Sequence, residues 1–520
     1  MRIRRSWSAL ALAGVLWGCS ATGDSAPWRN TKVPVERRIA DRLRAMSLDE
    51  KLEMLSDIQA VARPKDLPSG LAIAASWDVD LAAADGRVWA HRAVAAGKDQ
   101  VIGPDLASYG DDPWLISRMG VASVQAIQAE GVIASPEKLP AEADEKPLED
   151  RNLDEIRLAP FRAAIEEAGA WSVIASGANP AVLTDLLRKE WGFKGFVVSN
   201  GSGVGDPGEA MNAGIDAALA PGGPLSTAKL KAAADAGGLS RETVDEKVRR
   251  ILRARFSDGV YDRKPETFDT HEGESVNRRA AAESVVLLKN EGALLPLDPL
   301  TIHSISVAGD DLCAAVRAGA PSGISVRCAA GGDSGREEAR ITSGQEAGLM
   351  VALIAGQRGS GALAVPTLSG LADVIFGRVA PSGKLPVTLA AYPLGHGLSY
   401  TTFEYSDLRI FPATPRYGQI VQAVMKVRNS GTRPGTEVIQ VYVHRDKPYA
   451  ERPLKELKSF RRVELKPGES TSVTLILDRR SMWFYDPRVR DWAAEPGVYQ
   501  VLVGSSSRDI RLKGSFELFE

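Results

Sequence analysis

Apolar and polar positions recur along this chain with two different periods, and the change from one to the other divides it. Over residues 35–59 the apolar positions Ile39, Leu43, Met46, Leu52 and Leu55 fall at helical spacing. Ser47, three residues before Glu50, has the arrangement of a capping box. Between residues 71 and 261 helical and strand-like stretches alternate, with apolar runs such as 131–134, 170–174 and 195–199. That alternation predicts helices packed on a largely parallel sheet. From about residue 421 the period is two: segments 421–427, 437–443, 472–477 and 498–503 read as strands, with turns at Asn429-Ser430-Gly431 and Lys466-Pro467-Gly468-Glu469. This is the pattern of a β-sandwich. Between the two regions the glycine-rich tract 319–361 predicts little regular structure.

Length and composition add two constraints. With 520 residues, 44% of them hydrophobic, the chain has room for two to four domains. Its 64 Lys+Arg against 66 Asp+Glu leave a formal charge of -2 and no long basic stretch, so a nucleic-acid partner is not expected. The first residues carry a third signal. Arg2, Arg4 and Arg5 precede a short apolar stretch, and Gly18-Cys19 follows it, the order of an export signal ending in a bacterial lipoprotein cleavage box. The expectation is a signal peptide over 1–19, lipidation of Cys19, a polar tether over 20–34, and attachment to the membrane of a bacterial envelope as a periplasmic or outer-membrane lipoprotein. Cys313 and Cys328 are then the remaining cysteines, and spacing alone leaves both one disulfide and two free thiols open.

The run Trp191-Gly192-Phe193-Lys194-Gly195-Phe196-Val197-Val198-Ser199-Asn200-Gly201 reads as a buried strand delivering a polar residue to a loop. It resembles the "WGF-x-GFVVSD" strand of glycoside hydrolase family 3, the β-glucosidase and β-xylosidase family. "MSLDEKLEML" near residue 50, "AAAESVVLLKNEGALLPL" at 280–297 and "RPLKELKSFRRVELKPGES" at 452–470 resemble further phrases of that family in the same order. The resemblance implies a multidomain α/β protein: an abridged (β/α)8-type barrel over 35–265, an α/β sandwich over 275–390, and a fibronectin-III-like β-sandwich over 411–520. It also implies a β-linked oligosaccharide or glycoside as substrate, retaining exo-hydrolysis, and neither an organic cofactor nor a metal. Oligomeric state is not legible.

In that family the strand ends on an aspartate that attacks the anomeric carbon, and here Asn200 stands in its place. A neutral amide is a poor nucleophile and does not stabilise positive charge on the sugar. The residues expected around it are displaced too. Asp57 is the stand-in for an early sugar-holding aspartate, and Lys138, in Ser135-Pro136-Glu137-Lys138-Leu139, lies off the register of the family's Lys-His pair. Glu337 and Glu338 are the nearest matches to its acid/base. The expectation is a β-glucosidase-like protein impaired in catalysis. Two alternatives stay open: a hydrolase with reassigned acids, with Asp206 or Glu209 activating water, and a carbohydrate-binding or envelope-scaffold protein without catalysis.

Overall fold

A computed structural model describes residues 27–142, 151–219, 222–262, 271–329, 339–346, 349–356, 359–365, 368 and 370–520. Cys19, Glu337 and Glu338 lie outside the described residues, as do the signal-peptide segment and residues 20–26 of the tether. The first domain is a ring of short parallel strands: β1 (Ala60–Val61), β2 (Gln100–Asp105), β3 (Ile133–Glu137), β4 (Leu139–Pro140), β5 (Ser172–Ser176), β6 (Phe196–Ser199) and β7 (Ala217–Ala218). They form two sheets, β1-β2-β3 and β4-β5-β6-β7. β3 and β4 are halves of one run, kinked where Lys138 takes φ +69°. The Ile58 N–H donates to the Ala218 carbonyl at 2.8 Å and joins the two ends of the ring. Six strand positions are thus occupied among the described residues, two fewer than a full barrel of this type has.

Helices Val79–Ala95 and Pro113–Ala129 pack outside the ring. Each starts where an aspartate side chain accepts two backbone N–H groups: Asp78 from Asp80 and Leu81, Asp112 from Trp114 and Leu115. The Ser47–Glu50 capping box is formed as its spacing predicts.

The second domain follows helix His271–Glu283 with a mixed six-stranded sheet. Its strands are β8 (Val286–Asn290), β9 (Ser304–Ala308), β10 (Ser325–Ala329), β11 (Ala339–Glu346), β12 (Leu349–Gly356) and β13 (Gly359–Val365), ordered β10-β9-β11-β12-β13-β8. The glycine-rich tract therefore holds an antiparallel meander, β11-β12-β13, where little regular structure was expected. Cys313 and Cys328 form a disulfide, which settles their alternatives.

The third domain packs a sheet of β14 (Phe403–Phe411), β15 (Val421–Asn429) and β18 (Ser470–Leu477) on another. The second sheet contains β16 (Gly435–Arg445), β17 (Glu456–Leu465), β19 (Gly497–Gly504) and β20 (Ile510–Leu518). Its start corrects the expected boundary at 411, because β14 pairs with β15 from Phe403 onward. β14 escapes a period-two reading through an irregular register between Ser406 and Arg409, with Asp407 at φ +58°.

Candidate active site

In a barrel of parallel strands the chemistry gathers at the C-terminal strand ends. β6 is wholly buried and delivers an exposed Asn200 to that end. Gly195 is needed before it, since a Cβ there would lie 2.1 Å from the Trp171 carbonyl oxygen. After the strand the chain turns at once, with Gly201 at φ +90°. The Asn200 Oδ1 accepts from the Ser202 N–H at 3.0 Å, and the Ser199 Oγ accepts from the Gly201 N–H at 3.0 Å. The amide is thus folded back onto its own loop.

Beside it, at the ends of β5 and β6, lies a hollow of about 330 Å³ lined by Glu142, Ser176–Pro180, Ser202 and Gly203. Asn179 builds its wall: its Nδ2 donates to the Glu142 carbonyl at 2.9 Å and its own N–H to that of Ala141 at 3.0 Å. A Cβ on Gly177 would meet the Ala141 oxygen at 2.2 Å, so only glycine permits this approach.

A second group sits at the ends of β2 and β3. The register sets Asp105 opposite Glu137. Lys138 Nζ donates to Asp105 Oδ2 at 2.5 Å, and that hydrogen bond raises the lysine above its ordinary range. Asp105 Oδ1 is buried with no hydrogen-bond partner. Burial, reinforced by the Asp105 charge, raises the half-buried Glu137 carboxyl above the usual carboxylate range. Asp105, Glu137 and Glu142 were not singled out as site residues from the sequence. The signal available for the first two was an apolar strand ending in an acid, in Val101-Ile102-Gly103-Pro104-Asp105 and Ile133-Ala134-Ser135-Pro136-Glu137.

The other expected residues are placed elsewhere or otherwise engaged. Asp57 precedes β1, at the N-terminal end of the ring, while Asn200 follows β6 at the C-terminal end, so the two are not brought together. Asp57 Oδ2 accepts from Gln59 Nε2. Asp206 Oδ1 caps helix Pro207–Ala213 by accepting from the Glu209 N–H at 2.9 Å, and Glu209 is exposed on the first turn. A side chain held as a cap is poorly placed to activate water beside Asn200. Among the described residues no three His, Cys, Asp or Glu side chains converge as a metal-ligand set.

Residues 57–254 match the glycosyl hydrolase family 3 N terminal domain, and residues 437–507 match a fibronectin type III-like domain. The thermostable beta-glucosidase B of Acetivibrio thermocellus is 27% identical, covering 89% of this chain and 80% of its own length. That alignment runs over 610 positions, more than the 520 residues here, so it crosses gaps in this chain. A beta-glucosidase of Bacteroides ovatus is 25% identical over 87% of this chain and 85% of its own. Among solved structures, a β-glucosidase from Erythrobacter marinus shares the fold with TM-score 0.80 at 21% identity, over 95% of this chain and 100% of that one. Beta-glucosidase 3B from Thermotoga neapolitana, in complex with alpha-D-glucose, shares it with TM-score 0.74 at 21% identity, over 93% and 99%.

Proposed function

The chain belongs to glycoside hydrolase family 3, and from that premise we propose that it recognises β-linked glucosides or xylosides at the barrel mouth without hydrolysing them by the retaining route. The observation that carries this reading is Asn200. It stands where β6 delivers its terminal side chain, it is an amide, and its oxygen already accepts a hydrogen bond from the Ser202 N–H. Retaining hydrolysis needs two carboxyl groups about 5–5.5 Å apart across the sugar, one of them forming a glycosyl ester. An amide at the first position removes that ester. The hollow of about 330 Å³ beside Asn200 falls at the small end of the range of ligand sites, enough for one sugar ring. Titration with β-linked glucose and xylose oligosaccharides, alongside a turnover assay on aryl β-glycosides, tests the reading: binding without turnover supports it.

A second reading, hydrolysis by other acids, has one observation in its favour. Asp105 and Glu137 are paired at the mouth by strand register, with Glu137 raised above the usual carboxylate range by burial and the Asp105 charge, the direction a proton donor needs. Turnover abolished by Glu137→Gln would establish it. The proposed cellular place is the bacterial envelope through acylated Cys19, supported by the Arg-rich, apolar, Gly-Cys order of the first 19 residues. A Cys19→Ser protein that still fractionates with membranes would remove it.

A further inference from the structure

A cleft of about 660 Å³, twice the volume of the mouth hollow, opens where the barrel, helix His271–Glu283 and the third domain meet. It shares no lining residue with that hollow. Trp77 and Phe460 form one aromatic wall, edge to face with ring centroids 5.1 Å apart. The half-buried Trp114 forms another, with the Arg118 guanidinium 5.0 Å from its ring centre. Charged side chains lie between them in cross-linked pairs. Arg279 reaches Asp78 at 2.8 Å and Glu283 at 3.5 Å, and Arg462 approaches Glu283 at 3.8 Å while donating to the Ser76 carbonyl and the Ser382 hydroxyl.

Two features define what fits. The lining holds four arginines and four carboxylates, so its formal charges cancel, and neither an anion nor a cation gains a net field there. Glu283 Oε2 makes no hydrogen bond and has its nearest cation, Arg462, only at 3.8 Å, so this carboxylate is the least tightly held acid of the cluster. Aromatic faces beside alternating donors and acceptors suit a ligand with apolar ring faces and hydroxyl edges. A neutral saccharide has both.

We propose that this cleft is a second carbohydrate-binding site, taking a neutral oligosaccharide between Trp114, Phe460 and the Asp78–Arg279–Glu283–Arg462 cluster. It stands apart from the mouth and does not depend on what Asn200 does. The test is isothermal titration of the full chain with cellotetraose, xylotetraose and, as a charged probe, tetragalacturonate. Ser202→Trp first fills the mouth hollow, leaving the cleft as the remaining site. In that background the neutral probes are expected to bind, the charged probe to bind at least about tenfold more weakly, and Trp114→Ala or Glu283→Gln to weaken the neutral probes by about tenfold or more. Should Trp114→Ala misfold by circular dichroism, the conservative Glu283→Gln decides alone. The proposal is overturned if the mouth-blocked protein binds neither neutral probe, if it prefers the charged one, or if folded cleft variants bind as tightly as their parent.

Discussion

At the scale of single residues, two positions carry most of the account. Asp216 is fully buried just before β7, where its carboxylate meets Arg188, Arg250 at 2.7 Å, Lys247 at 3.5 Å and the Val197 N–H at 2.7 Å. It pins the base of β6. Burial pushes its carboxyl up, but the three cations outweigh burial and hold it below the usual range. A carboxyl lowered on folding contributes stability above its unfolded pKa, near 3.9, and loses it as pH falls through the lower folded value. Asp216→Asn should therefore cost about 3–5 kcal/mol at pH 7, because the cations stay buried, and the difference from wild type should shrink in urea titrations below about pH 4. Asn200 is the opposite case, exposed and locally tied. Asn200→Asp returns a carboxylate to the end of β6 without the family's lysine-histidine pair beside it, so activity on aryl β-glucosides is expected to stay near background. The identity of position 200 was plain in the sequence, and its hydrogen bond to Ser202 was not. Pairing such as Lys138 with Asp105 was likewise hidden, since the partners are 33 residues apart and meet through strand register alone.

At the scale of elements, legibility followed periodicity. β15 shows strict alternation, with Val421, Ala423, Met425 and Val427 buried, and it was read directly. β14 was missed because a register shift broke its alternation, and the β11-β12-β13 meander because glycine suggests loops until cross-strand partners are known. The disulfide between helix Asp310–Gly319 and β10 belongs to this scale. Its cysteines are separated by 15 residues, and closing such a loop contributes about 3 kcal/mol in the chain-entropy account. Cys313→Ser should lower the unfolding free energy of the second domain by about that amount in guanidinium titrations, and reductant should do the same to wild type while leaving the variant unmoved.

At the scale of the whole molecule the domains are not independent beads. Val438, Tyr442 and Leu457 of the third domain are buried in the same apolar cluster as the barrel, and Lys384 of the second domain makes a buried 2.9 Å ion pair with Glu437 of the third. Arg480 of the third domain also pairs with Glu166 and Glu167 of the barrel. A fragment from residue 411 onward, the boundary expected from periodicity, loses β14 and bares those three apolar side chains. It should unfold at lower urea than a fragment from residue 400, and both should bind a hydrophobic dye that the full chain does not. The six-position ring belongs here too: the sequence showed that the barrel half was short, but where the strands close is a property of the whole ring. The central claim is that a barrel mouth without its carboxylate binds β-glycosides and does not cleave them. The most direct measurement is turnover of an aryl β-glucoside and an aryl β-xyloside by freshly prepared protein whose Asn200 amide is verified by mass spectrometry, since Gly201 offers little shielding against attack on that amide and release of ammonia. The account predicts no turnover above the uncatalysed rate; hydrolysis at ordinary enzymatic rates by protein with its amide intact would contradict it.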